Sequence, residues 1–347
     1  VTEAVRQFWA TIEPYAGGLR RAFPAAPEIG VWRSRKNEIF HFCAQGTVAH
    51  FGASVDAYVN ALYWANLPCG IVSGEMLAHG ELEGLKLLIM PTCYYLTEPE
   101  AAALDRWVRG GGVLLCEAHL GGYNGTTGRH SRTVPGCGLA EAWGIRETET
   151  TSAYHVRLGE RQAFDDGAMP EDVRKAIRDF GASGGKFFPI RLADGAVVWG
   201  AHRYAELAGA GMDALGGFSG MAPCLGRKPV GQGVVFYCGT NFGQAAERDS
   251  GGLKAWVARA AAAAGVRCTV GLMADIPGTV HVDVLGDAKG PRFAVVVSSA
   301  SRPQKVTLTG QGRWRGLFSG IEWPLQGATA LDVPPSFTDL LVVEPDA

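Results

Sequence analysis

The chain has 347 residues, of which 47% are hydrophobic and 19% are charged, and its formal net charge at pH 7 is −2. This composition is that of a globular protein, and the length exceeds what one hydrophobic core usually fills, so we expect two domains. The near-neutral charge argues against a general nucleic-acid binder, and no apolar run approaches the ~20 residues that a membrane-spanning helix requires.

The eight cysteines are scattered along the chain. None forms a C-x-x-C pair, and none stands at a zinc-like spacing from histidine, so we predict neither a metal site nor a cofactor. Several end apolar runs, as in LLIMPTC and GVLLC, where cysteine behaves as a small buried hydrophobic residue. We therefore expect reduced thiols in a cytoplasmic protein, with secretion and disulfides as the open alternative.

The first predicted element is a helix over about Thr2 to Phe23. Its apolar residues recur at helical spacing at Val5, Phe8, Trp9 and Ile12. A short strand, EIGVW, follows, and we interpret the basic segment RSRKNEIFHFCAQGT after it as a loop. The next segment, SVDAYVNALYWANLP, predicts an amphipathic helix with Ser54 as its N-cap, and CGIVS predicts a strand.

The stretch Leu87–Gly122 has the pattern of a strand, a helix and a second strand. LLIM and VLLC are continuous apolar runs, which are typical of strands buried on both faces of a parallel sheet. Between them, Thr97 and Glu100 have the spacing of a capping box at the start of a helix. The alternation of strands and helices predicts a doubly wound α/β sheet.

The pattern weakens from Gly121 to about Lys228, which we interpret as an insertion. Strands are predicted in FFPIRL and AVVWGAH, and a helix in PEDVRKAIRDF. A further strand, GVVFYC, and a strong helix, LKAWVARAAAAAG, resume the α/β pattern. Beyond about Gly271 the apolar residues alternate with period two, and short runs such as TVHVDVL and TDLLVVEP predict a small β-sandwich.

Cys116 and His119 are the first candidates for chemistry. Cys116 closes a strand, and ligands of open α/β sheets bind beyond the carboxyl ends of the strands. A nucleophile elbow, however, places small residues around the nucleophile and runs into a helix, whereas LLCEAHLGG runs into a glycine-rich loop. A buried structural cysteine is therefore the favoured interpretation, and a catalytic pair remains the alternative.

Two loops are candidates for contact with a ligand or another subunit. The glycine-rich loop after Cys116 carries His119, Tyr123, Arg129 and His130. The basic segment after the first strand carries Arg33, Arg35, Lys36 and Asn37. Arginine and aromatic residues are enriched at protein interfaces, and no nucleotide-binding glycine motif is present, so we favour a solvated or interface loop for the basic segment.

Paired carboxylates for sugar hydrolysis must face each other across a cleft. The closest acidic clusters in the sequence are Asp165–Asp166 and Glu247–Asp249, and neither ends a well-defined strand. No G-x-S-x-G motif marks a serine nucleophile. Neither a pair of catalytic carboxylates nor a serine nucleophile is therefore predicted from the sequence.

Taken in order, three passages and the β-rich end resemble the non-catalytic C-terminal half of family 42 glycoside hydrolases, the β-galactosidase type. The passages are Leu85–Gly122, then VPGCGLAEAWGIRETE, then GQGVVFYCGT with its helix, and the end is LLVVEP. The resemblance implies a trimerisation domain with a flavodoxin-like or class I glutamine amidotransferase-like α/β fold, followed by a small β domain.

The resemblance also implies where catalysis takes place. In that family the acid and nucleophile glutamates lie on a (β/α)₈ barrel, which needs ~250 residues and eight strand–helix units. No such series is present here, so no catalytic residue is expected on this chain. The implied partners are other copies of the chain, with a trimer favoured, a barrel domain and a galactoside.

The predicted organisation is a junction helix over 1–24, an α/β domain over 25–270 and a β-sandwich over 272–347. The expected function is association and accessory support in a sugar-hydrolysing assembly. One alternative is a cysteine-dependent amidase or hydrolase that uses Cys116 and His119. The other is a carbohydrate-binding module on which Trp314 and Trp323 stack against sugar.

Overall fold

The structure is a computed structural model that describes residues 2–24, 26–152, 187–217, 222–266, 271–274, 278–288 and 290–344. The chain divides into two compact units. The α/β unit contains Glu28–Ala61 and Cys69–Val266, and the β unit contains Val1–Pro27, Leu62–Pro68 and Arg267–Ala347.

The helices of the described residues lie at the start of the chain and between the strands of the α/β unit. The α-helices are α1 (Thr2–Ile12), α2 (Ala16–Leu19), α3 (Arg35–Gln45), α4 (Ala49–Trp64), α5 (Gly74–His79), α6 (Glu98–Arg109), α7 (Leu139–Trp143) and α8 (Ser250–Ala263). Short 3₁₀ helices cover Glu13–Tyr15 and Gly243–Glu247. None of these helices has the length and apolar character needed to cross a bilayer.

The strands belong to both units. In the α/β unit they are β2 (Ile29–Arg33), β3 (Cys69–Ser73), β4 (Leu87–Met90), β5 (Tyr95–Leu96), β6 (Val113–Cys116), β7 (Tyr123–Asn124), β8 (Arg146–Ser152), β9 (Phe187–Leu192), β10 (Val197–Ala201), β11 (Arg203–Ala208), β12 (Asp213–Gly217), β13 (Pro223–Val230) and β14 (Gly233–Cys238). In the β unit they are β1 (Phe23–Pro24), β15 (Gly271–Ala274), β16 (Val280–Asp287), β17 (Gly290–Ser298), β18 (Gln304–Gly316), β19 (Glu322–Val333) and β20 (Thr338–Glu344).

The α/β unit is built on a nine-stranded sheet in the order β10-β9-β12-β13-β14-β6-β4-β2-β3. The five strands from β14 to β3 are parallel. Numbered along the chain, these five strands stand in the order 2-1-3-4-5. The predicted mixed α/β fold with a large sheet is therefore confirmed, and β4 and β6 are buried along their whole length, as their apolar runs indicated.

Local sequence signals fix the boundaries of α6. Thr97 and Glu100 form the predicted capping box. The Thr97 hydroxyl accepts the backbone N–H of Glu100, and the Glu100 carboxylate accepts the backbone N–H of Thr97. Its apolar stripe, which includes Leu104 and Val108, is buried. The strand LLIM, the helix and the strand VLLC thus follow from the sequence in the predicted order.

The predicted loop RSRKNEIFHFCAQGT is wrong, because α3 occupies most of it. Ser34 caps the helix by accepting the N–H of Asn37, and Gly46 ends it in the left-handed conformation at φ 69°. The buried side of α3 carries the polar residues Asn37 and His41. Because the apolar residues do not mark the buried face, helical periodicity in the sequence gave no signal.

Ser54 is not the N-cap of α4, which begins five residues earlier at Ala49. The hydroxyl of Thr47 accepts the N–H of Ala49 at 3.0 Å at the start of the helix. Ser54 is buried inside the helix and donates its hydroxyl to Glu117. Instead of capping the helix, this hydroxyl forms its hydrogen bond with a carboxylate that is far away in the sequence.

The weakly patterned middle of the chain extends the sheet. The predicted strands FFPIRL and AVVWGAH are confirmed as β9 and β10, and with β12 and β13 they continue the parallel strands in antiparallel fashion. β8 and β11 form a separate antiparallel pair. The predicted helix in PEDVRKAIRDF and the cluster Asp165–Asp166 lie outside the described residues.

The β unit contains one antiparallel sheet of seven strands. The long strand β18 pairs with β15 near its start and with β20 at its end. Because β18 also pairs with β19, it links three neighbouring strands within the same hydrogen-bonded sheet. Trp314 and Trp323 lie in its apolar core and are each 1% exposed. The predicted sugar-stacking platform is therefore wrong, because neither ring is accessible to a sugar.

The helix predicted over about Thr2 to Phe23 is shorter in the structure, because α1 ends at Ile12 and Phe23 lies in β1. None of the residues of α1 is buried. Its apolar residues Val5, Phe8 and Trp9 are exposed, and the ring of Phe8 stacks on that of Phe318.

Candidate functional site

Buried polar side chains follow the central parallel strands at the carboxyl edge of the sheet. Thr92 lies after β4, Glu117 and His119 lie after β6, and Thr240 and Asn241 lie after β14. Because ligands of open α/β sheets bind beyond this edge, it is the candidate functional site.

Glu117 connects three segments of the chain at this edge. Its carboxylate accepts the Ser54 hydroxyl at 3.0 and 2.9 Å, and the backbone N–H and hydroxyl of Thr92 at 2.9 and 3.0 Å. The backbone N–H of Gly243 also donates to it. These bonds tie α4, the loop after β4 and the 3₁₀ helix after β14 to the end of β6.

Glu117 is a buried carboxyl surrounded by protein donors. Burial raises the pKa of this carboxyl overall, and the hydrogen bonds from Gly243, Ser54 and Thr92 oppose that effect only in part. The side chain is 1% exposed. Since its oxygens are already occupied by protein donors, Glu117 holds the scaffold together and is not available to transfer a proton to a ligand.

His119 forms a second network on the same loop. Glu147 accepts the His119 backbone N–H at 2.6 Å through Oε1, and its Oε2 lies 3.3 Å from His119 Nδ1. The other ring nitrogen, Nε2, lies 2.8 Å from His130 Nε2. Tyr237 donates its hydroxyl to Glu147 at 2.8 Å. The chain of contacts runs from buried Tyr237 through Glu147 and His119 to exposed His130.

Glu147 is a site residue that could not be selected from the sequence. It lies on β8, whose sequence RETETTS is polar throughout and reads as an exposed strand. In the structure its side chain is 3% exposed and contacts His119, 28 residues earlier. Only the pairing of distant segments identifies this carboxylate.

Electrostatics assigns a protonation state to this network. Burial lowers the pKa of His119, and the nearby Arg203 guanidinium and His130 lower it further, whereas Glu147 opposes them. Burial raises the pKa of Glu147, but hydrogen bonds from His119 and Tyr237 outweigh burial and lower it overall. A neutral His119 therefore carries its proton on Nδ1 beside the Glu147 carboxylate, and its Nε2 accepts the proton of His130 Nε2.

We expect His119→Asn to change the pH dependence of stability. Asparagine tolerates the left-handed backbone at this position, where φ is 67°, and can still donate to Glu147. Because the folded-state pKa of His119 is lowered, the unfolded chain binds a proton first as pH falls below ~6.5, and the wild type loses stability there. Urea unfolding from pH 7.5 to 5.5 should show a steeper loss for the wild type than for the variant. Parallel pH profiles would contradict this assignment.

The structure does not pair Cys116 with His119. The Cys116 side chain is fully buried and donates to the Phe236 carbonyl at 3.7 Å. Both ring nitrogens of His119 already contact Glu147 and His130. Burial, followed by the neighbouring Cys238, raises the pKa of the Cys116 thiol well above its ordinary value, which opposes formation of a thiolate nucleophile.

We therefore expect Cys116 to resist alkylation in the folded protein. Iodoacetamide at neutral pH should leave its peptide unmodified in native buffer and modify it fully in denaturant, as read by peptide mass spectrometry. Rapid modification of Cys116 in native buffer, ahead of the other thiols, would restore the catalytic interpretation.

The remaining candidates divide between the polar edge and the surface. Asn37 joins the edge, where its amide donates to the Thr92 carbonyl at 3.2 Å. Tyr123 is half-buried, and its ring packs against those of His119 and His130. The exposed residues are Arg33, which pairs with Glu38 at 2.7 Å, and Arg35, Lys36 and Arg129.

In the acidic cluster Glu247–Asp249, the side chain of Asp249 caps a helix. Asp249 caps α8 by accepting the N–H of Gly252 at 2.9 Å, which is a structural role. Across the described ranges, no cluster of three or more histidine, cysteine or acidic side chains is arranged to hold a metal ion.

Comparison with solved structures finds the same fold in glycoside hydrolases. The β-galactosidase from Bacillus circulans sp. alkalophilus has a TM-score of 0.71 at 17% identity, covering 96% of this chain and 44% of that chain. The β-galactosidase from Rahnella sp. R3 has a TM-score of 0.68 at 15% identity, covering 96% and 43%. Alpha-L-fucosidase isoenzyme 2 from Paenibacillus thiaminolyticus has a TM-score of 0.57 at 15% identity, covering 98% and 51%.

These identities establish a shared fold and no more. The chain spans less than half the length of the two β-galactosidases. No curated protein matches the chain. The model of the family described as "Beta-galactosidase trimerisation domain" matches residues 43–267, which is well over half of the chain. The resemblance found in the sequence is therefore confirmed at the level of the family, and the chain belongs to the beta-galactosidase trimerisation domain family.

Proposed function

We propose that this chain is the non-catalytic association and accessory portion of a β-galactosidase-type glycoside hydrolase. The observation that carries the proposal is the match of residues 43–267 to a trimerisation domain. The function is the formation of a trimer that shapes the access of a galactoside to an active site on a (β/α)₈ barrel.

The chemistry of the carboxyl edge supports a structural role. Glu117 is occupied by donors from three segments, and His119 is held between Glu147 and His130. Such networks rigidify a core when every member is bonded. A rigid edge is what a domain needs if it is to present a fixed surface to other subunits.

The order of the parallel strands supports the finer fold assignment. The order 2-1-3-4-5 is that of flavodoxin-like doubly wound sheets, so we propose a flavodoxin-like or class I glutamine amidotransferase-like relationship for the α/β unit. We further propose that 1–24 is a junction segment, 25–270 the association domain and 272–347 a C-terminal β-sandwich domain. All described cysteines are free, which supports a cytoplasmic location.

Sedimentation equilibrium of the purified chain tests the proposed association. At micromolar concentration we expect a mass of three times the 36.8 kDa of one chain. A stable mass of one chain across the whole micromolar range would contradict the proposal.

A further inference from the structure

Helix α3 presents apolar residues outward and polar residues inward. Ile39 and Phe42 are 56% and 58% exposed, and Cys43 beside them is also exposed. Asn37 and His41, on the opposite side, are buried. This arrangement is the reverse of an ordinary surface helix, whose apolar stripe faces the core.

Hydrogen bonds fix this orientation. The Asn37 amide donates to the Thr92 carbonyl at 3.2 Å, and its oxygen accepts the Tyr95 N–H at 3.0 Å. His41 Nε2 lies 3.2 Å from the same Thr92 carbonyl. The half-buried Phe40 ring stacks on Tyr95 at 5.5 Å. Because these contacts are satisfied inside the α/β unit, rotating the helix to bury Ile39 and Phe42 would break them.

The exposed residues form one stripe along the helix, which we call the α3 patch and define as Arg35, Ile39, Phe42 and Cys43. Their spacing of four, three and one residues places them on one helical face. The patch combines an arginine and an aromatic side chain, which are types enriched at protein interfaces, with the exposed aliphatic side chain of Ile39.

We infer that the α3 patch is the contact surface on which a second copy of this chain docks. The inference rests on the proposed function, since the family match describes a trimerisation domain. In a closed ring of three copies, each interface is heterologous, so the patch of one copy contacts a different surface of the next.

The α3 patch is the centre of this contact and not its whole extent. A specific interface buries ~800 Å² on each partner, and one helical stripe supplies only part of that area. A few central aromatic or arginine side chains, however, usually carry most of the binding energy. Phe42 is therefore the residue whose replacement should weaken association most.

The test compares Phe42→Asp with Val197→Asp by sedimentation equilibrium of the full chain. Val197 is a matched control, because it is also an exposed apolar residue of the α/β unit, at 41%. We expect Phe42→Asp to raise the dissociation constant at least ~30-fold, as a central interface residue does, and Val197→Asp to leave the mass unchanged. Equal weakening by both variants, or no weakening by Phe42→Asp, would overturn the inference.

Cys43 gives a second readout that does not depend on how the variant folds. In the wild type, maleimide labelling of Cys43 should be slow at concentrations where the trimer forms, and fast after dilution to single chains. Equal labelling rates at both concentrations would overturn the assignment of the surface. A wild type that stays a single chain at every concentration would defeat the proposed function, whereas a trimer that keeps Cys43 accessible would defeat only this inference.

Discussion

Replacing Glu117 by leucine should lower the free energy of unfolding by about 3 kcal/mol or more. The change leaves the buried N–H groups of Thr92 and Gly243 without their acceptor, and each costs ~1–3 kcal/mol, with two hydroxyl groups losing a partner as well. Leucine also removes the cost of burying a carboxylate, which offsets part of this loss. The groups that donated to the Glu117 carboxylate stay buried, however, and have no acceptor in the variant. Urea unfolding followed by circular dichroism measures the difference.

Glu83→Leu is the matched control for this prediction. Glu83 is an exposed glutamate of the same unit, so its replacement should change stability by no more than ~0.5 kcal/mol. Glu117→Gln, which keeps one acceptor oxygen, should fall between the two. If Glu117→Leu left stability unchanged, the carboxylate would not be the connection between the three segments.

The second large effect is expected for Trp314→Ala, at about 3–5 kcal/mol of lost stability in the β unit. Trp314 is 1% exposed and packs in a core with Trp323, so its removal leaves a cavity. Hydrogen exchange of the amides in β16 to β20 measures this loss locally. Trp9→Ala is the control, because that tryptophan is 61% exposed.

The same pair of variants tests the carbohydrate-binding alternative. If Trp314 served a sugar, its replacement would abolish retention on a galactose column and leave hydrogen exchange in β16 to β20 nearly unchanged. We expect the opposite result, with exchange accelerated in that sheet and unchanged in Trp9→Ala.

Much of the α/β core could be predicted because its signals are local. The apolar runs LLIM and VLLC needed no partner to indicate buried strands, and Thr97 with Glu100 formed the capping box that their spacing predicted. The position of the candidate site at the carboxyl edge after β6 was likewise predictable, since that position follows from the direction of the strands alone.

The roles of the side chains at that edge could not be predicted, because their partners are distant in the sequence. Glu117 contacts Ser54 across 63 positions and Gly243 across 126. Glu147 lies on a strand whose polar sequence suggested exposure.

Helix α3 was missed for a related reason. Its buried residues are the polar Asn37 and His41, so the usual apolar stripe does not mark its buried face. Periodicity of apolar residues finds helices that pack through hydrophobic contacts, and α3 is oriented by hydrogen bonds.

The central proposal is that this chain supports a glycoside hydrolase without performing its chemistry, and the most direct test is an assay of the pure 347-residue chain with an aryl β-galactoside. We predict no release of the aryl alcohol above the rate in buffer, at any pH from 5 to 8. Turnover that rises in proportion to the concentration of the chain and disappears on heat denaturation would contradict the claim.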